Sequence, residues 1–221
     1  MVWLAKAVTA GLAFGAGADL ADTGAFLARV VRLDPGALVR LRPAGEAAVG
    51  LWAWLPIDVL ATRVIRGSCL HDVTVSARDL LAAVTAARDH GDAGLPMPAG
   101  RDRDWRGPLP AASHGGELDE VPAEVVRQLV RAGEEAFRTA EGEQRSVSEA
   151  LLEHESLRVS AGEVTVAVPL RMLLGLARMG FLGDEPVRVG RTGGWIWAAG
   201  SFGAAYRRAE PTPLITTRRH V

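Results

Sequence analysis

The sequence is poor in most of the residues that announce a particular chemistry. It holds one cysteine (Cys69), one lysine (Lys6) and no asparagine. A single cysteine excludes an internal disulfide and a cysteine-based zinc site, and it suits a reducing compartment. The five histidines, His71, His90, His114, His154 and His220, are scattered and form no His-x-x-x-His pair. Cys69-x-His71 places two ligand types on one strand face, which is short of a closed metal site. Gly15-x-Gly17 has Leu20 where a dinucleotide fingerprint needs its third glycine. No metal and no cofactor is therefore expected. No apolar run reaches the roughly 18 residues of a membrane span.

What is present is a 221-residue chain with 48% hydrophobic and 23% charged residues, a composition that excludes wholesale disorder. Alanine, glycine, valine and arginine dominate, the residue usage of a GC-rich genome, so an arginine alone carries less weight as an anion binder than usual. A net charge of -1 gives no global reason to expect nucleic acid or an anionic membrane. The charge is uneven. Residues 121–155 carry four arginines against eight acids, and residues 156–221 carry nine against four. Lys6 followed by Ala7–Ala18 imitates a secretory leader, but the run is rich in Gly and Ala and poor in Leu, a feeble apolar region. The expected location is cytoplasmic.

The strongest internal pattern is an echo. Leu27-Ala28-Arg29 recurs as Leu176-Ala177-Arg178, Val39-Arg40-Leu41 as Val187-Arg188-Val189, and Trp52-Ala53-Trp54 as Trp195-Ile196-Trp197. A second echo joins Asp72–Val75 and Arg78-x-Leu80-Leu81 to Glu163–Val166 and Arg171-x-Leu173-Leu174. Both halves read as strand–helix–strand–strand–strand, the pattern of an internal duplication.

Element by element, Val8–Phe14 reads as a strand. Asp22 or Thr23 would cap a helix that Asp34-Pro35-Gly36 stops. Strands Ala37–Arg42, Ala47–Leu55 and Asp58–Arg66 follow, then Asp72–Val75 and a helix capped by Ser76. Residues 89–118 break the pattern with four prolines among glycines and charges, and read as a linker or long surface loop. Pro122 opens a helix to about Ala140, and Ser146 with Glu149 caps another through His154. A hairpin at 157–168, a helix from Pro169 to Gly180 and strands at 186–190, 195–199 and 202–207 complete the chain. The expected fold class is α+β: two lobes of antiparallel sheet with packed helices. The expected segments are 1–95 (first lobe), 96–118 (linker), 119–208 (second lobe) and 209–221 (tail).

Three functional readings arise. The first is a non-enzymatic binding or regulatory protein acting through a partner protein or a small ligand. Its candidate residues are Arg40, Arg42, Arg188 and Arg191 on the strands, with Arg101, Arg103, Trp105 and Arg106 in the linker. A Trp among arginines can stack a base or fill a partner's pocket, or it can fold the linker back onto a lobe. If the lobes are related by a pseudo-twofold, Arg40 and Arg188 are equivalent and the groove between the lobes is the natural ligand site. The second reading takes helix 169–180 and hairpin 186–199 as the recognition helix and wing of a DNA-binding regulator, with Arg171 and Arg178 on the DNA. The third takes Ala199-Gly200-Ser201-Phe202-Gly203 as a hydrolase elbow with Ser201 as nucleophile. That elbow needs a following helix and a later acid and histidine, and only Glu210 and His220 remain. The first reading is preferred, and nothing in the sequence recommends catalysis.

Phe26–Pro35 with Ala37–Pro43 and Leu51–Pro56, and again Met172–Leu182 with Trp195–Tyr206, resembles an uncharacterised family of actinobacterial hypothetical proteins. The resemblance implies a GC-rich, cytoplasmic bacterial origin and no activity, because its shared residues are apolar and structural.

Overall fold

A computed structural model describes residues 11–110, 116–139 and 145–209. The expectations resting on residues 8–10, His114, Ser146, Glu210, His220 and the tail lie outside the described residues or side chains.

The first unit runs β1 (Leu12–Phe14), α1 (Gly17–Leu33), β2 (Leu38–Pro43), β3 (Ala48–Leu55) and β4 (Val59–Cys69). Helix α1 begins earlier than Asp22 or Thr23. Asp19 already lies in its first turn, and Thr23 Oγ1 donates 2.8 Å to the Asp19 carbonyl from inside the helix, so its hydroxyl is used for back-bonding rather than for capping. The chain continues through β5 (Val73–Ser76), α2 (Ala77–His90) and β6 (Gly94–Leu95). Ser76 caps α2 by accepting the Asp79 N–H at 3.3 Å, and Gly91, with φ 70°, ends it in the left-handed conformation.

After the connector come β7 (Glu117–Val121), α3 (Ala123–Thr139), α4 (Arg145–Glu153) and β8 (Glu155–Ala161). The last unit is β9 (Val164–Pro169), α5 (Leu170–Arg178), β10 (Val187–Thr192), β11 (Trp195–Gly200) and β12 (Gly203–Arg208). It repeats the order of the first: strand, helix, three strands. The turn between β10 and β11 is Gly193-Gly194, both at positive φ (51° and 80°), the conformation a two-residue hairpin requires.

The two complete units join in one sheet. Ten strands run in the order β5-β2-β3-β4-β12-β11-β10-β7, with β1 on the far end of β4 and β6 on β1; β8 and β9 form a separate pair. The seam is antiparallel, with Thr62 opposite Ala204, Ala61 opposite Ala205 and Leu60 opposite Tyr206. Small residues there let the strands of different units approach closely. One sheet face (Val39, Leu41, Leu51, Ile65, Val187, Val189) packs on the helices in the main core. Within it Phe26 of α1 stacks on Phe181 just beyond α5, with ring centroids 6.3 Å apart, so the repeated helix ends meet each other.

Two expectations are corrected by the architecture. Gly94–Leu95 and Glu117–Val121 are strands, although the sequence reads as irregular from 89 to 118. Strand β7 is polar and exposed along most of its length, and only pairing with β10 makes it a strand. The winged-helix reading also fails. Helix α5 lies against the sheet with Leu170–Leu176 buried throughout, and Arg171 is 2% exposed rather than offered to a groove.

Candidate functional site

The sheet face opposite the helices carries a second apolar cluster: Trp52, Leu60, Trp195, Trp197 and Tyr206, with Trp54, Trp105 and Leu109 packed against it. Strand alternation puts Trp52 and Trp54 on this face from β3, and Trp195 and Trp197 from β11. The two sets meet across the seam. Trp52 lies 5.4 Å from Tyr206, Trp54 lies 6.2 Å from Trp195, and Trp195 meets Tyr206 edge-on at 6.5 Å. Burial pushes the Tyr206 phenol well above its ordinary pKa, so it stays protonated at any physiological pH.

The register aligns one row across this face: Thr74, Arg40, Trp52, Thr62, Ala204, Ala199, Arg188 and Glu120 are successive neighbours. Arg40 and Arg188 thus flank the seam at the same distance in strands. Their surroundings differ, however. Arg40 is held by Asp72 at 2.7 Å and lies 5.9 Å from the Trp105 ring, whereas Arg188 is more exposed and faces Glu117 at 3.4 Å.

The connector reaches this face by zipping onto the edge strand. The Arg101 N–H donates to the Thr74 carbonyl at 2.7 Å, and the Thr74 N–H donates to Asp102 Oδ1 at 2.7 Å, which protects the open side of β5. A short 3-10 turn, Asp102–Asp104, then swings Trp105 onto the sheet. Trp105 Nε1 donates to the Gly107 carbonyl at 3.0 Å, and Trp54 Nε1 donates to the Arg106 carbonyl at 3.2 Å. Gly107, at φ 89°, makes the bend that brings these carbonyls round.

Beside that clasp lies a cleft of ≈ 660 Å³ lined by Asp34, Trp54, Asp58, Asp104, Trp105 and Arg106, together with residues 36–38. The α1–β2 turn supplies Asp34, which accepts the Gly36 N–H at 2.8 Å. The β3–β4 hairpin supplies Asp58, the one non-glycine residue at positive φ (55°) among the described residues. A smaller cavity of ≈ 230 Å³ lies at the seam, lined by Thr62, Arg188, Ser201 and Phe202 among others.

The predicted site residues therefore separate. Trp105 and Arg106 line the larger cleft, Arg188 lines the seam cavity, and Arg40 stands between them against Trp105. Arg101 is exposed and paired with Asp104 at 2.5 Å, Arg103 and Arg191 are exposed, and Arg42 lies half-buried opposite Gly50. Arg178 is half-buried at the end of α5, where its carbonyl accepts from Arg32 at 3.5 Å. Asp34, Trp54 and Asp58 complete the cleft and were not among the predicted site residues; the local signals were the turn chemistry around Asp34, the Trp-x-Trp pattern and the position of Asp58 beside an apolar strand.

The hydrolase reading is not supported by the geometry. Gly200 pairs with Gly203, so Ser201 and Phe202 are the two residues of a β-turn and no helix follows the serine. Ser201 Oγ makes no hydrogen bond, and no histidine or carboxylate lines the cavity beside it among the described residues. Burial, then the Asp72 charge, pushes the Cys69 thiol up to about 11, so little of it is thiolate at neutral pH. No group of three metal-ligating side chains occurs among the described residues.

Residues 8–107 match a family described as "Domain of unknown function (DUF8010)", and residues 110–212 match "Domain of unknown function (DUF8185)". No curated protein matches the chain. In fold it is similar to DNA polymerase III beta subunits. A putative beta subunit from Eubacterium rectale aligns with a TM-score of 0.55 at 13% identity, covering 93% of this chain and 66% of that one. The Helicobacter pylori beta clamp in complex with carprofen gives 0.54 at 10% identity, covering 91% and 66%. The Thermotoga maritima beta subunit gives 0.53 at 10% identity, covering 89% and 64%. The chain thus spans slightly less than two thirds of the length of these proteins. At such identities the likeness is one of fold: a clamp-like arrangement of repeated strand–helix–strand units.

Proposed function

We propose that this chain is a non-catalytic binding protein that receives a segment of a partner protein in the Trp54–Trp105 cleft. The observation that carries the reading is the cleft itself. Two indole rings are held at its rim by hydrogen bonds to backbone carbonyls, so they are ordered before any partner arrives and lose little further freedom on binding. Tryptophan is among the residues enriched where a few side chains carry most of an interface's binding energy. The clamp-like fold is consistent with a protein that works by holding others, and a reducing cytoplasm is the compartment we assign to it.

The test is affinity capture with quantitative mass spectrometry, using the full chain, Trp105→Ala, and Arg138→Ala as a remote control on α3. A partner held by the parent and by Arg138→Ala should fall at least about tenfold with Trp105→Ala. Equal capture by all three would remove the cleft from the mechanism.

One observation favours a second reading, an anionic ligand on the helix side. Arg29 and Arg178, counterparts in the sequence echo, lie at the meeting of α1 and α5. The Arg29 guanidinium packs against Gly180, and Arg32 donates to the Arg178 carbonyl. No carboxylate lies within 4.0 Å of any of the three arginines among the described residues. Anisotropy with labelled DNA at two salt concentrations tests it, since phosphate binding must weaken steeply with salt.

A further inference from the structure

We infer that the Trp54–Trp105 cleft is a receptor for a cation, the guanidinium or ammonium group of an arginine or lysine side chain on the partner. The inference rests on the partner-binding reading above and names the chemistry that the partner brings.

Charge is the first argument. Three carboxylates line the cleft, Asp34, Asp58 and Asp104, against one cation, Arg106. Two of the three are unspent. Asp34 uses one oxygen for the Gly36 N–H and has no cation within 4.0 Å among the described residues. Asp58 has only Arg207 Nε at 3.9 Å, and the terminal nitrogens of that guanidinium already hold both oxygens of Glu153 at 2.5 Å. Asp104 alone is matched, by Arg101 at 2.5 Å. The lining therefore carries a formal excess of two negative charges.

The second argument is the aromatic wall. Indole rings attract cations through their faces, and an organic cation gains both that attraction and apolar contact for its stem. The resting protein already uses this chemistry beside the cleft: Arg40 lies 5.9 Å from the Trp105 ring and Arg208 lies 5.1 Å from Trp195. Trp54, which lines the cleft, has no cation over its ring among the described residues. Carboxylates opposite an indole are what a long cationic side chain needs, the ring for its stem and face and the acids for its head.

The third argument is geometry. Asp58, at φ 55°, occupies the left-handed position of the β3–β4 turn, where its N–H donates to the Leu55 carbonyl at 3.1 Å, so the turn fixes where its side chain leaves the backbone beside the cleft. Its side chain is 68% exposed and so open to an incoming group. Asp58, Asp104 and Arg106 are all exposed at the rim, and an open rim suits a side chain delivered by a macromolecule better than an enclosed small molecule.

The test uses the full chain labelled with ¹⁵N, following the six tryptophan indole N–H signals, each assigned by a Trp→Phe variant. The probes are N-acetyl-arginine methylamide and its neutral near-isostere N-acetyl-citrulline methylamide. The Trp54 and Trp105 signals should move with the arginine probe and saturate, while the citrulline probe binds at least about fivefold more weakly. Asp34→Asn and Asp58→Asn should each weaken the arginine probe several-fold and leave the citrulline probe unchanged. Asn at 34 can still accept the Gly36 N–H, so the turn is kept. Equal response to both probes overturns the cation inference while leaving a binding cleft in place. Arginine-probe binding unaffected by both Asn variants overturns it as well. Silence at Trp54 and Trp105, with partner capture still lost in Trp105→Ala, removes the cation inference alone; silence with capture unchanged removes both readings.

Discussion

Removing Arg171 should cost less stability than removing the two carboxylates that hold it. Arg171 is 2% exposed, donates to the Ile57 carbonyl at 2.9 Å, and bonds Glu149 and Glu153, the latter at 2.7 Å. Its Nε makes no hydrogen bond among the described residues. The two acids are much wetter, with side chains 61% and 38% exposed, and Glu153 also holds Arg207. Replacing Arg171 with Met keeps most of the volume and leaves behind the half-buried Ile57 carbonyl together with two carboxylates that water and Arg207 can satisfy. What is lost is a charged hydrogen bond and two half-screened ion pairs, together about 1–3 kcal/mol. The double change Glu149→Gln/Glu153→Gln instead leaves a guanidinium in the core facing two neutral amides. Stranding one member of a buried pair costs about 3–5 kcal/mol. Urea unfolding of the full chain at neutral pH, with slopes compared to confirm that the unfolded states are alike, measures both. A Met variant less stable than the double Gln variant would refute the argument, because the energy would then reside in the packing of Arg171 rather than in its neutralisation.

Four further outcomes are expected. Gly190→Ala should cost about 3 kcal/mol or more by thermal denaturation, since a Cβ there would sit 2.4 Å from the Trp197 ring and 2.6 Å from the Gly116 carbonyl. Gly162→Ala, at φ 59° with open space around it, should cost only about 1 kcal/mol. Cys69, with its thiol pushed from 9.0 to about 11, should react with iodoacetamide at pH 8 about tenfold more slowly than an ordinary thiol, its roughly hundredfold smaller thiolate fraction being partly offset by the greater nucleophilicity of a more basic thiolate, and its rate should go on rising until the pH passes about 11. An ordinary rate at pH 8 would mean the thiol is exposed in solution. The Glu124 carboxyl is lowered chiefly by its hydrogen bond from Arg131, so the small stabilisation it gives α3 is present at neutral pH and is lost as the pH falls through its lowered value. Glu124→Gln should erase that acid-side loss in a pH series of melting curves.

Local rules carried much of the fold into view from sequence. The Ser76 cap, the Gly180 helix end and the Gly193-Gly194 turn each act over a few residues, where backbone geometry and side-chain type suffice. Alternation along β2, β3 and β11 placed the tryptophans on one face, and the repeated order of strand and helix in both halves followed from the same periodicities. The tertiary structure alone decided what depends on long-range pairing. Strand β7 has no apolar alternation of its own and exists because β10 supplies its hydrogen-bond partners. The Thr62–Ala204 seam joins edges 142 residues apart, which no local pattern encodes. Arg171, exposed by every compositional expectation, is drawn inside because Glu149 and Glu153 converge on it from another helix. The cleft itself needs the α1–β2 turn, the β3–β4 hairpin and the connector at once. Sequence determined the parts and the faces they present. Which faces meet was settled by the closing of one sheet, because burying apolar rows and satisfying strand edges are properties of the whole chain.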